Sequence, residues 1–504
     1  MYSSKIFLAK NGAVATEHPL ASMAAVETLR AGGNAVDAAI TASLCLAITQ
    51  PHLSGLGGDL FALYYHAASG KVYCLNASGW APSALTIDRI RSAGQQHVPL
   101  YGPYSVVVPG YVKGIPSLHH RFGELELAKD VAPAVKLADE GFPVYPALSR
   151  NIQQALDKFP ESAKRLFAPD GQALMPGSVL RQERLARTLR TITTEGIAAF
   201  YEGVIFEKIA EALARGGLQV DSQDFKCCEP EWCDALKLSY GDFTVYEIPP
   251  NSMGATSLRI LNSLQTVGLK RFQPNSHERI EATLEVVMEA YARMWKELGD
   301  PKFTSINLHD FLSPGKIDGS TAPSKPTTRN ADTTYFAIVD NEGNMVSAIQ
   351  SLFHYFGSRI FVDDCGFFLN NRASAFRLEG PNKLQPRKRP LHTLSALLLA
   401  RDGEMKAAIG TSGAEYRPQQ HALFLTNYID YQMTLEEALA YPRFLWEPDK
   451  VTIESGFTGL DRIPLKKQLV EYPGRTGVSQ AVEITNGTRK AVCDIRGEGL
   501  PLGF

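Results

Sequence analysis

No apolar run in this sequence is long enough to cross a bilayer. Its most apolar stretch, around Ile40–Ile48, is broken by Thr41 and Ser43 and closed by Thr49, well short of the roughly 20 residues a spanning helix needs. Neither sign of charge is in excess. With 51 basic and 53 acidic residues the formal net charge is −2, which gives no electrostatic pull toward nucleic acid or an anionic membrane. Basic runs with interleaved aromatics, the usual footprint of a nucleic-acid groove, are also missing. Lys5 and Lys10 interrupt the first ten residues before a signal-peptide apolar core can develop, so a cytoplasmic location is expected.

Paired metal-binding spacing is absent too. The seven cysteines, Cys45, Cys74, Cys227, Cys228, Cys233, Cys365 and Cys493, are odd in number and scattered, as in a reduced cytosolic chain. The Cys227-Cys228…Cys233 cluster has neither Cys-x-x-Cys spacing nor nearby histidines, so it reads as structural and no metal ligand is assigned. The glycines of Ser54-Gly-Leu-Gly-Gly-Asp59 precede a strand-like run instead of following one, which excludes a dinucleotide fingerprint. They imply close approach of backbone to something, either a neighbouring sheet or a substrate.

What is present is a large amount of ordinary globular sequence. The 504 residues exceed what one core usually serves and predict two lobes or a multilayered domain. Helical spacing predicts helices over 18–29 and 36–46, the second capped by Asn34 with Asp37 in the capping-box position. Further helices are predicted over 127–140, 147–158, 180–194, 251–266 and 277–298, with strands over 60–65 and 240–249. Residues 313–332 are rich in Pro, Ser, Thr and Gly and poor in large apolar residues, the composition of an exposed loop. They stop abruptly at a strand, Thr333–Asp340, followed by the turn 341–344 and a partner strand, Met345–Ser351. A chain could be cut there without losing its core.

A threonine hydroxyl is a poor nucleophile without a base beside it. If the bond before Thr333 were broken, its own α-amine would supply that base, with a pKa of about 7.7–8.0 and almost no positioning entropy to overcome. By spacing alone Thr333 is first of all a strand residue, because strands favour threonine.

The order of motifs adds a second kind of information. Ala31-Gly-Gly-Asn-Ala-Val-Asp-Ala-Ala39, Leu53–Asp59, Val108-Pro-Gly110 with Gly114, Asp332–Asp340, Gly343-Asn344, Phe356-Gly-Ser358, Leu369-Asn-Asn371, Lys388-Arg-Pro390, Gly410-Thr-Ser-Gly413 and Tyr441-Pro-Arg-Phe444 together resemble the γ-glutamyltransferase family over essentially the whole chain. The resemblance implies an α+β fold, the four-layer αββα sandwich of N-terminal-nucleophile hydrolases. It implies a precursor cut between Asp332 and Thr333 into a large chain, 1–332, and a small chain, 333–504, that form one intertwined unit. Thr333 then becomes the nucleophile, Ser351 the hydroxyl that hydrogen-bonds it, and the N–H groups of Gly413 and Ala414 the oxyanion hole. No cofactor is implied, since an amine–hydroxyl pair needs none. The expected partners are a small-molecule amide and the two chains of one precursor, with a homodimer an admissible assembly.

The departures from the family pattern cluster where a glutathione enzyme grips the α-amino acid. Ile87 replaces the arginine for the α-carboxylate, Ala375 the acid for the α-ammonium, Phe353 an asparagine, and His392-Thr393 a serine pair. A zwitterionic head group left unpaired there would cost about 3–5 kcal/mol. Arg372, where the family has glutamine or glutamate, could take a substrate carboxylate or equally be a surface arginine satisfied by a nearby acid. His354 and His392 could line the pocket. The segment 375–390 is short for a covering lid, which predicts a more open site. Gln350–Ser358 and Asn371-Arg372 resemble the divergent acylase and oxamate-amidohydrolase branch. The expectation is therefore an autoprocessing amidohydrolase for a small carboxylate-bearing amide such as oxamate. The alternatives are γ-glutamyl hydrolysis or transfer, and an uncut binding member of the family.

Overall fold

The computed structural model describes residues 4–315, 333–474 and 476–504. Asp332 and residues 316–331 of the expected linker lie outside the described residues.

Among the described residues, fourteen strands build two seven-stranded sheets. In chain order they are β1 (Lys5–Ala9), β2 (Ala13–Thr16), β3 (Asp59–His66), β4 (Lys71–Ala77), β5 (Glu231–Cys233), β6 (Leu236–Tyr240), β7 (Phe243–Glu247), β8 (Thr334–Val339), β9 (Met345–Ser351), β10 (Leu397–Arg401), β11 (Glu404–Thr411), β12 (Ser479–Thr485), β13 (Thr488–Cys493) and β14 (Pro501–Gly503). One sheet runs β1-β13-β12-β11-β10-β7-β6 and the other β14-β2-β8-β9-β3-β4-β5. Each sheet therefore takes strands from both sides of position 333.

The two sheets pack face to face. Tyr335, Ala337, Val339 and Ile349 of the second sheet meet Leu398, Ala408 and Val482 of the first in one buried cluster. The alternate residues of β8 and β9, Phe336, Ile338, Val346 and Ala348, face a helical layer instead. That layer includes α1 (Pro19–Arg30), α2 (Ala35–Thr49), α3 (Tyr111–Phe122) and α4 (Leu127–Glu140). On the outer face of the first sheet lie α5 (Gly254–Val267), α6 (His277–Glu297) and α7 (Arg417–Leu425), packed on Leu397, Leu399, Ala407 and Ile409. The order helix, sheet, sheet, helix is the expected αββα sandwich. Covering on both faces is why β8 reads as a continuous apolar run and every residue in it is buried.

Local chemistry accounts for the element ends. Pro19 opens α1 at a position whose N–H is unneeded. Asn34 and Asp37 form a reciprocal capping box on α2, the side chain of each accepting from the other's end of the turn. The strand predicted over 240–249 is β7, which starts only at Phe243 because Tyr240 ends β6. Gly241, at φ 57°, permits the turn between them. The helix expected from Leu180 starts at Glu183, because Val179–Leu180 is drawn into a short ladder with Phe142–Pro143.

The glycine-rich turn 54–59 approaches backbone, as anticipated. A Cβ at Gly57 would lie 2.2 Å from the Phe368 carbonyl oxygen, and one at Gly58 would lie 2.5 Å from that of Ser351. Both glycines are there so that the turn can press against the end of β9 and the 368–370 segment.

Candidate active site

Thr333 stands immediately before β8, and Ser351 is the last residue of β9. The β8–β9 register, Thr334 opposite Gln350, continues to place Thr333 beside Ser351. The Thr333 Oγ1 lies 3.2 Å from the Ser351 Oγ, to which it donates. Ser351 Oγ also accepts the Phe353 N–H at 2.7 Å. That second bond is made by a tight reversal in which Phe353 takes φ 85°, a costly conformation for a bulky residue. Thr333 and Ser351 are both about 1% exposed, so the openness expected from the short 375–390 segment is not found at the threonine.

The reversal turns Phe353 toward Arg372. The guanidinium carbon sits 4.1 Å from the centre of the Phe353 ring, a cation–π stack. Arg372 donates from Nη1 to the Thr393 Oγ1 at 3.1 Å, and its Nε lies 3.5 Å from Asp59 Oδ2. Arg372 has no exposed surface, so the surface-arginine alternative is corrected, although the neighbouring acid is real. Among the described residues its Nη2 has no hydrogen-bond partner. Burial pulls its pKa down to about 9, Asp59 opposing and Arg417 adding to the fall, so it remains charged at neutral pH.

His392 completes this cluster. Its Nε2 donates to Asp59 Oδ2 at 3.0 Å while its Nδ1 accepts the Leu394 N–H at 3.3 Å, which fixes one neutral tautomer. Burial, reinforced by Arg372, takes its pKa to about 3 despite Asp59. His354 is held by its backbone N–H, donated to Asn371 Oδ1 at 3.0 Å. Both its ring nitrogens are buried without a partner among the described residues. Burial, then Arg372 and Arg359, also bring it to about 3.

Gly413 and Ala414 follow β11, beyond its last ladder contact, the Ser412 N–H to Val478 O at 2.8 Å. Both are left-handed, at φ 118° and 49°, and a Cβ at Gly413 would lie 2.7 Å from Gln420 Oε1. β11 comes close to β8 here. A Cβ on Gly410 would meet the Tyr335 ring at 2.3 Å, so the strand leading into the 413–414 turn passes directly over the strand that carries the threonine.

Of the departures, Ile87 begins a short helix packed in the same small cluster as Ala373 and Phe376. Ala375 lies just beyond Arg372, its carbonyl accepting from Asn382. Two residues were not singled out from the sequence. Asp59 pairs across the ladder with Ser351 and receives the Gly79 N–H at 2.8 Å as well as His392. Its only sequence signal was its place at the end of the glycine-rich turn. Glu17 accepts the Tyr335 N–H at 3.1 Å, two residues from Thr333, and nothing in its local sequence marked it.

The model of the γ-glutamyltranspeptidase family matches residues 21–504. The chain belongs to that family. A glutathione hydrolase-like YwrD proenzyme of Bacillus subtilis is 33% identical, covering 97% of this chain and 98% of its own length. An oxamate amidohydrolase proenzyme of Klebsiella pneumoniae is 29% identical over the full length of both. Among solved structures, a cephalosporin acylase from Bacillus halodurans superposes with a TM-score of 0.92 at 31% identity, covering 99% of this chain and 97% of its own. The γ-glutamyltranspeptidase relatives are enzymes with the N-terminal-nucleophile hydrolase fold, and this chain has that fold and is such an enzyme. Relatives of both the hydrolase and the acylase kind place it in the divergent acylase and oxamate branch. No helix among the described residues is long and apolar enough to cross a membrane.

Proposed function

We propose that this γ-glutamyltranspeptidase-family chain cuts itself between Asp332 and Thr333 and then hydrolyses a small amide that carries a carboxylate close to the scissile carbonyl. Cleavage frees the Thr333 amine, and the large chain (1–332) and small chain (333–504) stay interleaved in both sheets. The amine takes the Thr333 hydroxyl proton as Oγ1 attacks the amide carbon. The oxyanion is received by the N–H groups of Gly413 and Ala414. The amine then passes its proton to the leaving nitrogen, and water releases the acyl group from Thr333 by the reverse sequence. Ser351 holds Oγ1 in line throughout.

The observation that carries this reading is the Arg372 guanidinium. It is fully buried and charged, stacked on Phe353, whose own N–H bonds the hydroxyl beside Thr333, and its Nη2 has no partner among the described residues. A buried donor left without an acceptor costs about 1–3 kcal/mol, and a substrate carboxylate would relieve it with a charge-assisted bond. Thr393, His354 and His392 complete the lining. A glutathione-type donor would bring an ammonium as well, and Ile87, Phe353 and Ala375 offer it no acid. Oxamate, the substrate class named for a full-length relative, has the needed carboxylate one bond from the amide carbon.

The second reading, γ-glutamyl hydrolysis, is favoured by the glutathione hydrolase-like name of the relative at 33% identity. Purified enzyme given oxamate and, separately, a γ-glutamyl anilide distinguishes them. Ammonia release from oxamate with little anilide turnover is the expected result. Turnover of the anilide alone would overturn the substrate assignment while leaving the nucleophile in place.

A further inference from the structure

Far from Thr333 in the sequence, three helices of the outer layer bring together Asp37 of α2, His119 of α3 and Asp130 of α4. One ligand atom from each lies within 4.8 Å of the other two. Asp37 and Asp130 have no exposed surface. The two carboxylates are satisfied very unequally. Asp37 Oδ1 accepts the N–H groups of Glu124 at 3.0 Å and Leu125 at 3.3 Å, and its Oδ2 accepts those of Asn34 at 2.8 Å and Glu124 at 3.2 Å. Those four contacts come from three N–H groups, the Glu124 N–H being shared by both oxygens, so one of the roughly four acceptor sites of the Asp37 carboxylate is left over. Asp130 is the opposite case, since neither of its oxygens has a hydrogen-bond partner among the described residues. His119 Nε2 is 4.0 Å from Asp130 Oδ2 and 2.7 Å from the Leu125 carbonyl oxygen.

Two buried carboxyl groups side by side, one of them without a donor, need a positive charge between them. A proton carried by Asp130 and donated to Asp37 would satisfy only one Asp130 oxygen and leave the other without a partner among the described residues. We propose that Asp37, His119 and Asp130, with the Leu125 carbonyl, form a structural site for one divalent cation. Two carboxylates, an imidazole and a carbonyl suit an intermediate ion such as Mn²⁺ or Zn²⁺. On binding, the His119 proton moves through solvent from Nε2 to Nδ1, so the ring stays neutral and Nε2 turns from donor to ligand, while Leu125 O turns from acceptor of that proton to fourth ligand. Burial, and secondarily Asp37, push the Asp130 pKa up to about 8, so occupancy also displaces a proton from Asp130 below that pH. The ion would tie α2, α3 and α4 together behind the β8–β9 hairpin, whose Asp340 accepts the Ala35 N–H at the start of α2 at 3.0 Å.

The test uses the full-length protein stripped with EDTA and titrated with Mn²⁺, which avoids the exposed Cys227 thiol that Zn²⁺ would find. Calorimetry is expected to show one saturable equivalent, with a thermal midpoint raised by about 4 °C or more and changed Mn²⁺ electron paramagnetic resonance. Asp130→Asn, nearly isosteric and uncharged, should fold with an unchanged circular dichroism spectrum and bind at least about tenfold more weakly. No saturable binding to the wild type, with Asp130→Asn melting higher than it, would show that a shared proton fills the gap and overturn the site. Equal binding by the variant would place the ion elsewhere and overturn it as well.

Discussion

At the scale of single residues, the Arg372 guanidinium and the Ser351 hydroxyl decide what Thr333 can act on and how fast. Replacing Arg372 with glutamine should lower kcat/KM for a carboxylate-bearing amide by about 100-fold, equivalent to about 2–3 kcal/mol. Turnover of an amide without a carboxylate should change by less than about threefold, and that comparison separates anchoring from general damage. Ser351→Ala removes the hydroxyl 3.2 Å from Thr333 Oγ1 and should slow both self-cleavage and turnover by about tenfold or more, read from the time course of precursor loss. Four buried histidines, His18, His52, His354 and His392, are each depressed to about 3 by burial. They are neutral when folded, but once unfolded they take a proton near pH 6.5. Their contribution to stability is complete above about 6.5 and is lost as pH falls toward 3. His354→Gln should therefore flatten the decline of the urea midpoint between pH 6.5 and 4, and an unchanged slope would contradict the neutral assignment.

Among individual elements, the sequence was most legible where one face of a helix or strand decides the outcome. Helix α4 matched its predicted span, Leu127–Glu140, and the Asn34–Asp37 capping box formed as its spacing required. The strand over 240–249 was right in kind but starts only at Phe243, because Gly241 permits the turn that joins it to β6. Beyond the β8–β9 hairpin, whose two strands were read as partners across the 341–344 turn, ladder partners were not legible, and with them went Asp59, which matters because it pairs with Ser351. The motif residues Asn370 and Arg389 also carried no readable role. The Asn370 side-chain amide donates to the Gly57 and Val107 carbonyls, and the Arg389 guanidinium donates to those of Ser78 and Glu229. Gly57→Ala should test how tight that fit is. Its Cβ would fall 2.2 Å from a carbonyl oxygen, and a loss of about 1–3 kcal/mol is expected, measured by urea unfolding.

For the molecule as a whole, the composition spoke only to size and charge, while the order of motifs along 504 residues carried the αββα architecture. The interleaving of the sheets has a direct consequence. Strands β2, β3 and β8, β9 share one sheet across the expected cut, so large and small chains should migrate as one particle in native chromatography and as two bands after denaturation. Separation without denaturant would mean that the sheets do not hold the halves together. The substrate was the least legible feature, because it depends on which side chains from distant segments end up beside Arg372.

The most direct test of the central claim is intact mass spectrometry of the purified protein beside Thr333→Ala. Two fragments, one ending at Asp332 and one beginning at Thr333, present in the wild type and missing in the variant, are the predicted result. A single uncut chain in both samples after prolonged incubation would contradict it and leave the fold without the proposed chemistry.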